Sequence, residues 1–140
     1  MSLFSDVDDK EIRRVVARLL KQYKAYRVAF QNKLEQDAEG IDQLFPMLND
    51  VEKEKFLFVK QIDRAIENAL NEIEREIIQR KYLDNHRVKD IDVYLDLGLT
   101  KDQYYIHKKY AINLIATALR IILALFFISR QKPDKIRDKT

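Results

Sequence analysis

The sequence predicts an all-α fold, with a long N-terminal helix followed by a helix-turn-helix domain whose last helix is extended. Three observations carry this. The 140 residues include only two Gly and two Pro, too few turn formers for a multi-stranded sheet. Leu, Ala, Lys, Glu and Gln, which sit well in helices, are abundant. Apolar residues also recur at steps of three and four over long stretches, the spacing that lines one face of a helix. A chain of this length fits one domain or slightly more and can bury a real core.

The first helix is expected from about Asp6 to Asp37. Ser5 and Asp8 resemble a capping box with a shortened acid, and Ile12, Val16, Leu19, Tyr23, Tyr26, Phe30 and Leu34 trace a single stripe. Arg13, Arg14, Lys21, Lys24 and Lys33 fall on its other faces and read as a solvated basic surface. Gly40 ends this helix, and residues 40–50, with Pro46, form a connector. A second helix should start with Asp50 as N-cap and carry Glu52, Lys53 and Glu54 in its first turns. It would bury Phe56, Val59, Ile62, Ala65, Ile66, Ala69 and Leu70.

Asn71 favours caps over helix interiors and should break the chain there. The helix after it places Ile73, Ile77, Ile78 and Tyr82 inside, with Glu72, Glu74, Arg75, Glu76, Arg80 and Lys81 outside. Leu83 to Val88 is polar enough for a short loop. Asp90 to Leu97 then reads as a short helix with Val93 and Leu97 inward, ended by Gly98 in the left-handed conformation. Leu99 points back inward, and Thr100 and Gln103 form a capping box. The long helix that follows has Tyr104, His107, Ala111, Leu114, Ile115 and Ala118 spaced for its buried face. Helix, glycine turn and capped second helix make the helix-turn-helix pattern. The expected organisation is an N-terminal helical region over 1–70, the helix-turn-helix domain over 71–128 and a basic flexible tail over 129–140.

The formal charge of +3 is unevenly spread. Residues 1–78 carry 13 Lys/Arg against 16 Asp/Glu, whereas residues 79–140 carry 13 against 7. Such asymmetry suits a polyanionic partner, as it suits a basic tail kept for solubility. The acidic start, Met1 to Asp6, has no apolar export core, so a cytoplasmic location is expected. Ile121 to Ile128 is an unbroken apolar run, but eight residues are far short of the about 20 needed to span a bilayer, and no membrane association is expected.

Enzymatic chemistry finds no support in the residues. The absence of Cys removes thiol nucleophiles, disulfides and thiolate metal sites, and no glycine-rich phosphate loop is possible with two Gly. His86 and His107 lack metal-ligand spacing to a carboxylate. Asp90, Asp92 and Asp96 would suggest a cation site, but positions 90 and 92 diverge on a helix surface, so these acids read as caps or solvated positions. No catalytic residue, metal or cofactor is assigned, and the chain is not expected to be an enzyme.

In the helix-turn-helix arrangement the first turns of the second helix face the major groove. The candidate base contacts are Lys101 to guanine acceptors, Gln103 bidentate to adenine, Tyr105, and Ile106 to a thymine methyl. Arg80, Lys81, Arg87, Lys89, Thr100, Lys108 and Lys109 are candidates for phosphates, adding affinity without sequence information. Residues 71–115 resemble the ArpU/RinA-type phage transcriptional regulators, on the elements Asp92-Val93-Tyr94, Leu97-Gly98-Leu99-Thr100 and Gln103-Tyr104-Tyr105. The same block is similar in layout to region 4 of sigma factors, where a Glu-Arg-containing helix precedes the helix-turn-helix. Within that pattern Tyr94 stands where a small residue is usual, and His107 where an apolar one is. The resemblance implies an activator of late phage genes such as packaging and lysis, bound to double-stranded DNA in a bacterial host cell. Because a single helix-turn-helix rarely gives adequate specificity alone, a homodimer through the apolar run Ile121 to Ile128 and the long first helix is expected; in a monomer the same surface would instead be buried intramolecularly. A helical adaptor that contacts RNA polymerase or another regulator without reading DNA is the competing expectation.

Overall fold

The structure is a computed structural model that describes residues 8–39 and 49–121. Ser5, Gly40, most of the connector, the run Ile122 to Ile128 and the tail over 129–140 lie outside those residues. The described residues form five α-helices and no strand, so the fold is all-α. They are α1 (Asp9–Ala38), α2 (Asn49–Ala69), α3 (Glu72–Ile78), α4 (Asp90–Asp96) and α5 (Lys101–Ala118). None of the described helices is long and apolar enough to cross a membrane.

Asp8 caps α1 directly, its carboxylate accepting from the Lys10 amide at 3.0 Å. Ile12, Val16, Leu20 and Tyr23 are the buried residues of this helix. Leu20 therefore takes the place the sequence reading gave to Leu19, since both positions fit the helical spacing and α2 and α5 pack on the Leu20 side. Leu34 is 71 % exposed, beyond the reach of that packing. Tyr23 also donates its hydroxyl to Asp63 on α2, and burial first, with that bond second, pushes the phenol up to about 12.

α2 begins at Asn49, so Asp50 lies inside the helix and is not its N-cap. Val59, Ile62 and Ala65 are buried, and Phe56 is half exposed, resting edge-on against Phe30 at 5.3 Å between ring centres. The break after α2 is held by two side chains expected in solvent. Arg75 reaches back to donate to the carbonyls of Leu70 at 3.1 Å and Ile66 at 3.3 Å, supplying donors where the helix end has left its carbonyls without partners. Glu74 closes a reciprocal box with Asn71 (2.7 and 2.8 Å), which draws its carboxylate in and leaves the residue only 7 % exposed. Ile73, expected inside, is 41 % exposed.

α3 runs without a break into a π-helical turn over Gln79–Leu83, closed by the Asp84 amide on the Gln79 carbonyl at 2.8 Å. The helix thus extends one residue beyond Tyr82, and Leu83, assigned to a loop, is buried in the core. That core joins Ile12, Val16, Leu20, Ile62, Leu70, Ile78, Leu83, Ile112 and Ile115, drawn from both sides of residue 70. The change in sequence character at 70/71 is accordingly not a gap in packing. A smaller cluster of Ile77, Val93 and Tyr104 sits between α3, α4 and α5, with Val88, Tyr94, Leu97 and Leu99 around it.

Candidate nucleic-acid interface

The joint between α4 and α5 has local causes at every step. Gly98 adopts φ +69°, which an L side chain enters only with strain. Its amide donates to Leu95 O at 3.2 Å and the Leu99 amide to Tyr94 O at 2.9 Å, the paired bonds of a Schellman cap. Leu99 and Tyr94 both pack on the small cluster, the apolar contact that accompanies this cap. Tyr94 is accommodated with its ring tilted 50° to that of Tyr104, 5.5 Å away. Thr100 Oγ1 accepts from the Gln103 amide at 3.1 Å, while Gln103 Oε1 accepts from the Thr100 amide at 3.0 Å, the reciprocal box that starts α5.

Of the candidate base contacts, Lys101, Gln103, Tyr105 and Ile106 are all exposed on the outer surface of α5. Their polar groups are not equally free. The Gln103 carbonyl is engaged at the cap, so the free amide donor is its main offer to a base, and a bidentate adenine contact would compete with the cap. Tyr105 packs edge-on to Tyr104, with its hydroxyl 3.5 Å from Asp90 Oδ2, a long contact. Ile106 is 55 % exposed, as a thymine-methyl contact requires.

The phosphate candidates divide. Arg87 and Lys89 are exposed, with no ion pair among the described residues. Thr100 keeps only its hydroxyl proton for an outside acceptor. Arg80 is paired with Glu76 at 3.1 Å and with Asp96 at 3.2 Å. Lys109 meets Asp9 of α1 at 3.0 Å, with both side chains well exposed. Lys108 corrects the expectation outright: the residue is 9 % exposed, and its Nζ lies 3.0 Å from Asp90 Oδ1. Lys81 is turned inward too, donating to Val88 O at 3.0 Å and lying 3.7 Å from Asp90.

Asp90 is the residue that sequence reasoning missed. Far from being a solvated first-turn acid, it accepts from Tyr104 Oη at 2.5 Å as well as from Lys108, and ties the start of α4 to α5. Burial alone would raise its carboxyl, but the bonds from Tyr104 and Lys108 and the charges of Lys108 and Lys81 outweigh that and hold it below the ordinary carboxylate range. Burial first, and then the same partnership with Asp90, drives the Tyr104 phenol far above its usual value. Tyr82 is pushed up to about 12, by burial first and the Asp90 charge second.

A signal was present in the sequence. Lys108 lies four residues after the core residue Tyr104, and a lysine on a buried face needs a nearby counter-charge. With Lys108 inward, the buried face of α5 is Tyr104, Lys108, Ala111, Ile112, Ile115 and Ala116. It is rotated from the expected face, leaving Leu114 and Ala118 exposed and His107 half-buried. No protein-family model, curated protein or solved structure matches this chain.

Proposed function

We propose that this chain is a sequence-specific DNA-binding transcription regulator of the ArpU/RinA type, an activator of phage or phage-island late genes. The observation that carries the reading is the α4–Gly98–α5 joint. Two helices are fixed by a Schellman cap and a capping box, and the first turns of the second present Lys101, Gln103, Tyr105 and Ile106 outward. Those side chains supply a cation, an amide donor, a phenol and an apolar group, the chemistry that base edges call for. Arg87, Lys89 and Lys109 flank them as phosphate contacts, and the Thr100 hydroxyl adds a neutral one. One such unit reads few base pairs, so the regulator acts as a dimer on paired half-sites.

The test uses the cap to separate folding from reading. Gln103→Glu keeps an acceptor for the Thr100 amide and removes the amide donor, so stability is retained while cognate DNA binding weakens and base preference shifts. Lys101→Ala should weaken binding as well. Selection from a random duplex pool followed by retention measurements reads both effects. Retention equal to wild type in the double variant would overturn the proposal. A second reading, the adaptor that docks on RNA polymerase or another regulator, is favoured by one observation. Ile106, Tyr110 and Leu114 lie four residues apart along α5 and are 55, 60 and 36 % exposed, an apolar stripe suited to a partner helix.

A further inference from the structure

A cleft of about 500 Å³ opens between the start of α1 and the outer flank of α5. Arg13, Lys108 and Lys109 line it together with Tyr105 and Asn113, and so do the carboxylates Asp9 and Asp90. The two carboxylates are not equivalent. Asp90 is committed to Tyr104, Lys108 and Lys81. Asp9 meets only Lys109 among the described residues, in a pair whose side chains are 49 and 63 % exposed. Exposed pairs of this kind are worth about 0–1 kcal/mol, so an incoming anion can displace Asp9. Arg13 has no ion pair or side-chain hydrogen bond among the described residues, leaving its planar fork of donors open to the cleft.

We propose that this cleft binds a phosphate group, held by Arg13 and Lys109 with Asn113 and the Tyr105 hydroxyl as neutral donors, and that Asp9 is the built-in anion it displaces. A phosphate offers several acceptor oxygens to the Arg fork and the ammonium, which a single carboxylate cannot match. The phosphate can come from a free nucleotide, whose base would stack on the exposed Tyr105 ring, or from a nucleic-acid backbone lying along α5.

The probe is inorganic phosphate, titrated into the full chain at constant ionic strength against chloride while amide resonances are followed. Saturable shifts at Asp9, Arg13, Tyr105, Lys109 and Asn113 are expected. Arg13→Gln should weaken the apparent affinity about ten-fold, the loss of roughly one charge-assisted contact, and Asp9→Asn should tighten it several-fold by removing the competitor. Both residues are exposed, so the variants fold, and their melting temperatures without phosphate verify this. Adenosine monophosphate and a mixed-sequence duplex of about 20 base pairs identify the source. Tighter binding of the mononucleotide than of inorganic phosphate points to a nucleotide, whereas duplex binding that falls with Arg13→Gln, with no gain for the mononucleotide, points to the backbone. Shifts no larger than those with chloride, or an unchanged affinity in Arg13→Gln, would overturn the proposal. Duplex binding that persists in that variant would leave the helix-turn-helix reading standing without this cleft.

Discussion

Replacing Asp90 is the sharpest test of how α5 is held. Its Oδ1 accepts from Tyr104 at 2.5 Å and Lys108 at 3.0 Å, with Lys81 at 3.7 Å. Tyr104 is wholly buried and the Lys108 side chain is 11 % exposed. Asp90→Ala strands a phenol donor and leaves an ammonium in a poorly hydrated site. Removing one partner of a fully buried pair costs about 3–5 kcal/mol. The Asp90 side chain retains 24 % exposure, through which water partly compensates, so about 2–4 kcal/mol is expected. At about 4 °C per kcal/mol for a domain of this size, the melting temperature falls by about 8–16 °C. Asp90→Asn keeps an acceptor for Tyr104 but no charge for Lys108, and costs about 1–2 kcal/mol.

Combining Asp90→Asn with Lys108→Met should recover part of that loss, because the apolar side chain removes the ammonium left without its counter-charge, while the carboxamide oxygen at position 90 still accepts from Tyr104. The dependence on pH has a definite sign. A carboxyl held below its ordinary range contributes stability that is present above the unfolded value, near 4, and is lost as pH falls through the folded value. The gap between wild type and Asp90→Asn should therefore be full at pH 7 and close below about pH 4. Urea titrations at both pH values measure it. A melting temperature for Asp90→Ala within about 2 °C of wild type would refute the internal role of Lys108.

Other perturbations separate local from long-range causes. A Cβ at Gly98 meets nothing within 4 Å, so Gly98→Ala is penalised by its +69° φ alone, about 1 kcal/mol, and Gly98→Val by more; equal stability of all three by urea unfolding would contradict that geometry. Arg120 holds φ +63° where α5 ends, and Arg120→Gly should raise stability by about 0.5–1 kcal/mol in the same assay. Tyr23 and Tyr82 are both pushed up to about 12, so the stability tied to their protonated phenols is complete below the unfolded value near 10 and is lost as pH climbs towards 12. An absorbance titration of the tyrosinates should show at least two that ionise late, and Asp63→Ala should bring one of them, Tyr23, back towards 10.

What could be read from the sequence follows the range of the interaction. Gly98, Thr100 with Gln103, and the break at Asn71 were legible because each cap is decided within six residues by backbone conformation and one side chain. The stripes of α1 and α2 were legible because helical spacing fixes which residues share a face. Leu19 and Leu20 were not separable, since both satisfy the spacing and only the positions of α2 and α5 choose between them. Asp90 and Lys108 lie 18 residues apart on different helices, and their pairing depends on a crossing that no local rule supplies. Glu74 and Arg75 look like solvated charges in a polar run until the preceding helix end, with its carbonyls lacking partners, is set beside them.

That internal use of charge changes what the basic half of the chain can offer to DNA. Six cations were assigned to phosphates: Arg80, Lys81, Arg87, Lys89, Lys108 and Lys109. Lys81 and Lys108 are turned inward on Asp90, and Arg80 is held between two carboxylates. Arg87 and Lys89 remain open, and Lys109 can be freed by giving up a weak surface pair with Asp9. If the described residues alone neutralise phosphates, three cations predict a slope of log K against log salt of about −2.7 per protomer, where six would give about −5.4. A measured slope near the larger value would require cations from elsewhere. Arg13 at the cleft between α1 and α5 is one source, and Arg130, Lys132, Lys135, Arg137 and Lys139 in the C-terminal segment are another. Truncation before Arg130 then discriminates: the slope falls if the tail supplies the contacts and stays near −2.7 if the helix-turn-helix works with its own three cations.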